Sequence, residues 1–272
     1  MKQRASDTFL TEGVVEQILA ADLIDPIVTL ADYRGDLQMH STFSDGTQTL
    51  EQIIAKCREL GYEYAAVTDH SYGLPVAHGM SMWSAARQHE QIDALNAAHK
   101  KKFRLLKGVE ANILEDGTLD MSDEELRQFE LVVASPHSAL RSKFDQTRRL
   151  VKAVSNPLVD ILGHPSGRRN DKGREGLKVR WDEVFAAAVE HGVAIELDGY
   201  DARQDLDWTL ASEAREAGCL FAVDSDAHTS AQLRFARIAL AHARLAQLPA
   251  DRIINCWPAT KILKWIAKRR RS

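Results

Sequence analysis

From residue 35 onward the chain alternates short apolar, β-rich runs with stretches whose apolar residues recur every three or four positions. The β-rich runs are 35 to 40, 63 to 68, 104 to 109, 129 to 134, 158 to 163, 193 to 197 and 219 to 224. Between them, Leu50, Ile53, Ile54, Cys57 and Leu60 form one helical stripe, and Val184, Phe185, Ala188 and Val189 form another. Ser122 with Glu125 three residues on is a capping box that opens a short helix, and Asn156-Pro157 stops the helix before the fifth strand. Seven strands in strict alternation with helices predict a parallel sheet with right-handed crossovers. A chain of 272 residues can fold that sheet as one barrel domain. Residues 8 to 30 read as a polar, partly helical lead-in. The expected organisation is therefore a lead-in over 1–34 and a barrel over 35–272 that ends in a basic tail, without internal repeats or low-complexity linkers.

Polar residues concentrate where these strands end. The first strand ends in Gln38 and His40 with Asp45 just beyond, the second in Asp69-His70, the third in Glu110 and the fourth in His137. The fifth ends in His164, the sixth in Glu196 and Asp198, and the seventh in Asp226 and His228. In a parallel barrel the carboxyl ends of all strands converge on one mouth, where active sites are built. Five of the ten histidines lie at these ends. Uncompensated polar groups converging on one mouth are costly, so the set points to a multinuclear metal site rather than to packing. The remaining histidines, His89, His99, His191 and His242 on helices and His78 in a loop, read as surface or capping residues.

Composition narrows the class. The net charge of −4 argues against coating by nucleic acid, and no apolar run is long enough to span a membrane. Residues 1 to 7 lack the apolar core of a signal peptide, which predicts a cytoplasmic protein. Cys57, Cys219 and Cys256 are scattered and read as packing residues. Two basic stretches, Arg141 to Lys152 and Arg168 to Arg180, begin just after His137 and His164, on the rim of the predicted mouth. Arg168 and Arg169 are the nearest cations for a phosphorylated substrate, Arg148 and Arg149 lie in the other stretch, and the segment from Gly163 to Gly176 reads as a mobile loop. The C-terminal Lys264, Lys268, Arg269, Arg270 and Arg271 read as a solvated face.

The stretches Gly35-Asp-Leu-Gln-Met-His40, Ser44-Asp-Gly46, Val67-Thr-Asp-His70, Gly108-Val-Glu110, Ala134-Ser-Pro-His137, Ile161-Leu-Gly-His-Pro165 and Asp224-Ser-Asp-Ala-His228 resemble the PHP (polymerase and histidinol phosphatase) superfamily. They are most similar to the C-terminal PHP domain of bacterial family X DNA polymerases, here read as free-standing. The resemblance implies a distorted seven-stranded (β/α)7 barrel with up to three divalent metals, zinc, manganese or iron with magnesium also allowed. By position, His40, Glu110 and Asp226 would hold the first metal, with Gln38 in place of the family's first histidine. Glu110 would share the second with His137 and His164, while Asp45, His70 and His228 would hold the third. Asp198 stands where the polymerase-linked domains usually have Asn.

Such metals lower the pKa of a bound water to about 7 and brace an in-line displacement at phosphorus, so no protein nucleophile is needed. Ser41, Thr42 and Ser135 lack a base partner and read as turn and hydrogen-bond residues, and Asp69 as a residue that orients a neighbour of the site. The expected activity is hydrolysis of phosphomonoesters or phosphodiesters, in small molecules or at nucleic-acid 3′ ends, with no membrane and no protein partner implied. Glu110, His40, Asp226, Arg168 and Arg169 are its expected catalytic residues. Two other readings remain. One is an amidohydrolase-type metal enzyme, in which Asp45, His70 and His228 would have no task. The other is a weakened PHP domain kept for binding or regulation, which Gln38 alone supports.

Overall fold

The computed structural model describes residues 8–21, 26–99 and 102–271. Seven strands lie in chain order: β1 (Gly35–Asp36), β2 (Tyr64–Val67), β3 (Arg104–Asn112), β4 (Leu131–Ser135), β5 (Ile161–Leu162), β6 (Ala194–Asp198) and β7 (Leu220–Asp224). Every neighbouring pair is parallel. Around them run α1 (Glu12–Ala20), α2 (Leu50–Glu59), α3 (Met82–His99), α4 (Asp123–Leu126), α5 (Thr147–Val154), α6 (Trp181–His191), α7 (Trp208–Ala217), α8 (Ala236–Leu245) and α9 (Ala259–Arg269).

The order matches the sequence pattern, but β1 is shorter than expected because side chains take over its backbone bonds. Leu37 N–H donates to Asp224 Oδ1 at 2.7 Å and Gln38 N–H to Asp36 Oδ1 at 3.2 Å, neither to a strand carbonyl. The seam between β1 and β7 is joined by a parallel bridge of Met39 with Ala227 and by Asn255. The Asn255 amide donates to Gly35 O and Asp224 Oδ1 and accepts from Val223 N–H. Closure through side chains rather than a full ladder makes the barrel distorted.

Strand alternation separates interior from exterior. Tyr64 and Ala66 of β2 join Leu37, Leu106, Leu131, Val133, Ile161, Ala194 and Ala222 in the interior cluster, whereas Ala65 and Val67 pack with α2 and Phe103 outside. Ile254, Trp257, Ile262 and Ile266 complete the interior cluster and close the base of the barrel with α9. Thr49 caps α2 in reciprocity with Gln52, Ser122 caps α4 with Glu125, and α5 ends just before Asn156-Pro157, as the sequence predicts.

One expectation changes. Part of the C-terminal tail is internal: Arg269 and Arg270 bind the buried Asp160, because α9 plugs the barrel base instead of trailing in solvent. The lead-in is docked too, with Val15 and Leu19 of α1 in the outer core beside α8, and Arg244 donating to Leu19 O and Ala21 O. Among the described residues no helix is long and apolar enough to cross a membrane, and the three cysteines are unpaired.

Candidate metal centre

The alternation that buries Leu106 inside the barrel also points Glu110, four residues on, into the mouth, while Val109 and Ala111 face out towards α3 and α4. Glu110 is fully buried and four imidazoles surround it. Its Oε1 lies 2.9 Å from His164 Nε2 and 3.4 Å from His137 Nε2. Its Oε2 lies 2.9 Å from His70 Nδ1 and 3.6 Å from His40 Nε2. Asp226 Oδ1 approaches His40 Nε2 at 3.0 Å, and Asp45 Oδ1 lies 3.4 Å from His228 Nε2 and 3.6 Å from His70 Nε2. The ring of His40 stacks against that of His70 and against that of His228, at 4.3 and 4.2 Å. Two sets have donor atoms all within 4.8 Å of one another: His40, Asp45, His70 and His228, and His70, Glu110 and His137. Gln38 is fully buried and, two residues before His40, falls on the same side of the chain.

The supporting residues explain how these side chains are held. His137 Nδ1 meets Asn112 Oδ1 at 2.5 Å, and Asn112 is itself held by Asp120 and Ser71. A donor Nδ1–H towards that carbonyl leaves Nε2 facing Glu110. Asp69 accepts from Ser41 N–H and Oγ–H, from Ser44 Oγ–H and from Gln88, so it fastens the loop that carries Asp45. His164 N–H donates to buried Glu196. His164 and Asp226 adopt φ of 23° and 50°, left-handed values that cost non-glycine residues strain and gather at functional sites. A side chain at Gly163 would meet Ser135 Oγ at 2.3 Å, so the residue before His164 must be glycine.

The polar atoms here are close but poorly hydrogen-bonded. Both amide atoms of Gln38, His40 Nδ1, His70 Nδ1, Glu110 Oε2 and His137 Nε2 are buried without a hydrogen-bond partner. Among the described residues such orphans are the expected sign of donors arranged for an ion, and imidazole with carboxylate suits zinc, manganese or iron. Burial pushes His40 down and His164 down to about 4, keeping both imidazoles neutral as ligands must be. Burial opposes the charge on Glu110, yet His70 and His137 hold its pKa well below the usual carboxylate range. His228 is pushed up to about 9 because Asp45 and Asp226 outweigh its burial.

The rim cations are rearranged relative to expectation. Arg168 is 3% exposed and turned away from the donors. Its guanidinium binds Asp207 and Thr8, donates to Arg203 O and covers the ring of Phe9. Arg149 is likewise spent on the backbone carbonyls of Ile113, Leu114 and Ser138. The segment from Gly163 to Gly176, expected to be mobile, is tied by an Arg169 to Arg174 bridge, by Arg174 donating to Gly167 O and by Asp205 accepting from Ser166 and Gly167 N–H. His242 is fully buried and not a surface histidine: its Nδ1 caps Trp208 N–H of α7 and its Nε2 meets Gln204.

Arg203 lies against one of the donors, Asp226, whereas Arg168 pairs with Asp207. The Nε of Arg203 lies 3.5 Å from Asp226 Oδ2 and 3.5 Å from Asp198 Oδ2, with no hydrogen-bond partner of its own. Arg203 stands alone among Asp201, Asp205 and Asp207, so a search for basic runs passes over it; a single cation in an acidic rim loop is the signal that finds it. Asn112 was missed as well, although Glu110-x-Asn112 places both on one face of β3. The mouth is a cleft of about 510 Å³ whose walls combine Arg169, Lys172, Arg174, Arg203 and Tyr200 with Leu74, Val76 and Leu140. A larger cleft of about 680 Å³ runs beside it under residues 9 to 16 but contains none of the donors.

Comparison with known proteins agrees with this geometry. The PHP domain model matches residues 36–199. The DNA polymerase/3′-5′ exonuclease PolX of Bacillus subtilis is 36% identical over 230 residues, 84% of this chain but only 40% of that protein. A "Probable phosphatase" of Thermoanaerobacter sp. (strain X514) is 27% identical over 235 residues, covering 82% of this chain and 89% of that one. Among solved structures, histidinol phosphate phosphatase from Lactococcus lactis, complexed with zinc, L-histidinol and phosphate, superposes with a TM-score of 0.56 at 16% identity, over 78% of this chain and 94% of that chain. With the matched stretch running from β1 through β6 and the strand-end donors gathered around Glu110, the chain belongs to the PHP domain family.

Proposed function

We propose that the mouth holds up to three divalent metals and hydrolyses a phosphomonoester. Gln38, His40, Glu110 and Asp226 would hold the first, Glu110, His137 and His164 the second, and Asp45, His70 and His228 the third. The observation that carries this reading is Glu110, whose two oxygens each face two imidazoles in a fully buried site. Divalent metals held by this donor set supply an activated water and neutralise charge for displacement at phosphorus. The chain's own part is to receive and orient the ester. Arg203 presents a guanidinium with an unpartnered Nε on the cleft wall, suited to a phosphoryl oxygen. Leu74, Val76 and Leu140 offer apolar lining to the body of the substrate, and about 510 Å³ suits a small molecule.

The rim supports a second reading, a terminal phosphate on a nucleic acid, because Arg141, Arg169, Lys172 and Arg174 come from two adjacent loops. Three of them are already engaged, Arg141 by Lys172 O, Arg169 by Asp171 and Arg174 by Gly167 O, which leaves less charge for a long polyanion. We therefore favour the small phosphomonoester. Three unpaired cysteines fit a reducing compartment, and we place the enzyme in the cytoplasm.

The test compares nitrophenyl phosphate, bis-nitrophenyl phosphate and a 3′-phosphorylated oligonucleotide with manganese or zinc, across salt concentrations. Monoester turnover that is lost on chelation and insensitive to salt is expected. A preference for the oligonucleotide that falls steeply with salt would favour nucleic-acid ends, and no hydrolysis under any metal would favour a retained binding domain.

A further inference from the structure

The residues before the family-matched stretch make specific contact with the loop that carries Arg203. Leu10 N–H donates to Gln204 Oε1 at 2.7 Å and Gln204 Nε2–H donates back to Leu10 O at 2.9 Å, so one side-chain amide pairs with a peptide as a neighbouring strand would. Thr8 Oγ–H donates to Asp207 Oδ2 at 3.0 Å and accepts from Arg168 Nη1 at 2.7 Å. Arg168 also donates through Nε to Arg203 O at 2.9 Å, and its guanidinium carbon lies 3.9 Å from the centre of the Phe9 ring. Arg203 is thus fixed at its own carbonyl by Arg168 and at the following residue by Leu10. Gln204 adopts φ of 48°, a left-handed conformation that its side-chain bonds hold in place.

The guanidinium of Arg203 is held by ion pairs alone and not by a hydrogen bond at Nε. Its side chain is 14% exposed, and its Nε reaches Asp198 and Asp226 only at 3.5 Å without bonding geometry. A guanidinium so loosely tied at its tip is aimed by its backbone, and the backbone is aimed by residues 8–10, Arg168 and Gln204. We infer that Gln204, Arg168 and the segment Thr8–Leu10 are positioning residues that set Arg203 over the phosphoryl site. This rests on the reading of Arg203 as a phosphoryl-binding group.

The experiment uses the full metal-loaded chain with Arg203→Met, Gln204→Gly and the double variant. It measures metal per chain, the Kd for inorganic phosphate by calorimetry, and kcat and KM. Glycine accepts the left-handed conformation, so Gln204→Gly removes the clamp without adding strain. Arg203→Met is expected to weaken phosphate about thirtyfold, the scale of a charge-assisted bond. Gln204→Gly is expected to weaken it about tenfold, the scale of a misplaced group, with metal content unchanged. The double variant should bind phosphate no more weakly than Arg203→Met, since the clamp acts only through that arginine. Phe9→Ala, which removes the ring beneath the Arg168 guanidinium and leaves the metal donors in place, should give a smaller loss that also vanishes in the Arg203→Met background.

If Arg203→Met leaves phosphate affinity unchanged, the reading of Arg203 fails and the clamp with it. If Arg203→Met weakens phosphate but Gln204→Gly and Phe9→Ala do not, the clamp alone is overturned. Losses that multiply in the double variant, or metal lost from Gln204→Gly, would mean a general structural role and also overturn it.

Discussion

The two ends of the barrel each bury a carboxylate completely, Asp160 at the base and Glu110 at the mouth, and treat it in opposite ways. At the base, Asp160 Oδ1 accepts from Arg269 at 2.7 Å, and Oδ2 accepts from Arg270 at 2.8 Å and Val132 N–H at 3.0 Å. Arg269 goes on to His191 O and Val159 O, and Arg270 to Phe129 O, so the chain answers the charge with its own cations. At the mouth, Glu110 faces only imidazoles, and its Oε2 lacks a proper hydrogen bond. Burying a carboxylate costs several kcal/mol unless it is compensated. The base settles that cost within the fold; the mouth leaves it for an external cation. Buried charge therefore marks structure where its partners are complete and function where they are not.

Glu110→Gln should break the mouth most severely. The amide offers one neutral oxygen where two anionic ones are proposed to bridge, so bound metal should fall by two per chain. kcat should drop about a thousandfold, the upper scale for losing one preorganised group at a reacting centre. Elemental analysis of protein purified without chelator, paired with monoester kinetics, checks this. Full metal content with full activity would sink the bridging assignment.

The base should respond in the other currency. Arg269→Met leaves Asp160 with one of its two cations in a buried site, a change expected to cost about 3–5 kcal/mol of stability. Denaturant titration should register that loss while metal per chain and KM stay as in the parent. Metal lost in proportion to stability would show that the two ends are coupled, and the contrast drawn between them would be wrong.

The sequence exposes the mouth more fully than the base because of how each is encoded. Strand ends carry His40, His70, Glu110, His137, His164, Asp226 and His228 at positions that alternation and topology bring together, so chemistry and spacing speak at once. The base depends on Arg269 meeting Asp160, 109 positions earlier, and a run of basic residues does not say which of its members turns inward. Adjacent residues on α5 show the same limit: Arg148 is exposed whereas Arg149 is buried, since successive helical side chains point about 100° apart. Arg168 does not lie where the sequence suggests for a related reason. Proximity in sequence to His164 suggested Arg168, but the loop after β6 supplies Asp207 to draw that guanidinium inward and leaves Arg203 beside Asp226.

Gln38 sharpens the contrast with the smallest expected effect. It is fully buried, and neither its Oε1 nor its Nε2 has a hydrogen-bond partner, a costly state for an amide whose only task is packing. An amide can offer an ion only its carbonyl oxygen, a hard and modest donor, where imidazole offers a nitrogen that zinc prefers. The first position should therefore lean towards manganese or magnesium and bind it loosely. Gln38→His should tighten metal at that position about tenfold, a gain of about 1.4 kcal/mol, and reduce the dependence of rate on added manganese. Competition with a metal indicator at fixed pH, and manganese titration of kcat, read the two effects separately. Identical metal stoichiometry and manganese dependence in both forms would mean that the Gln38 amide bonds solvent within the mouth and holds no metal, leaving His40, Glu110 and Asp226 as the first position's donors.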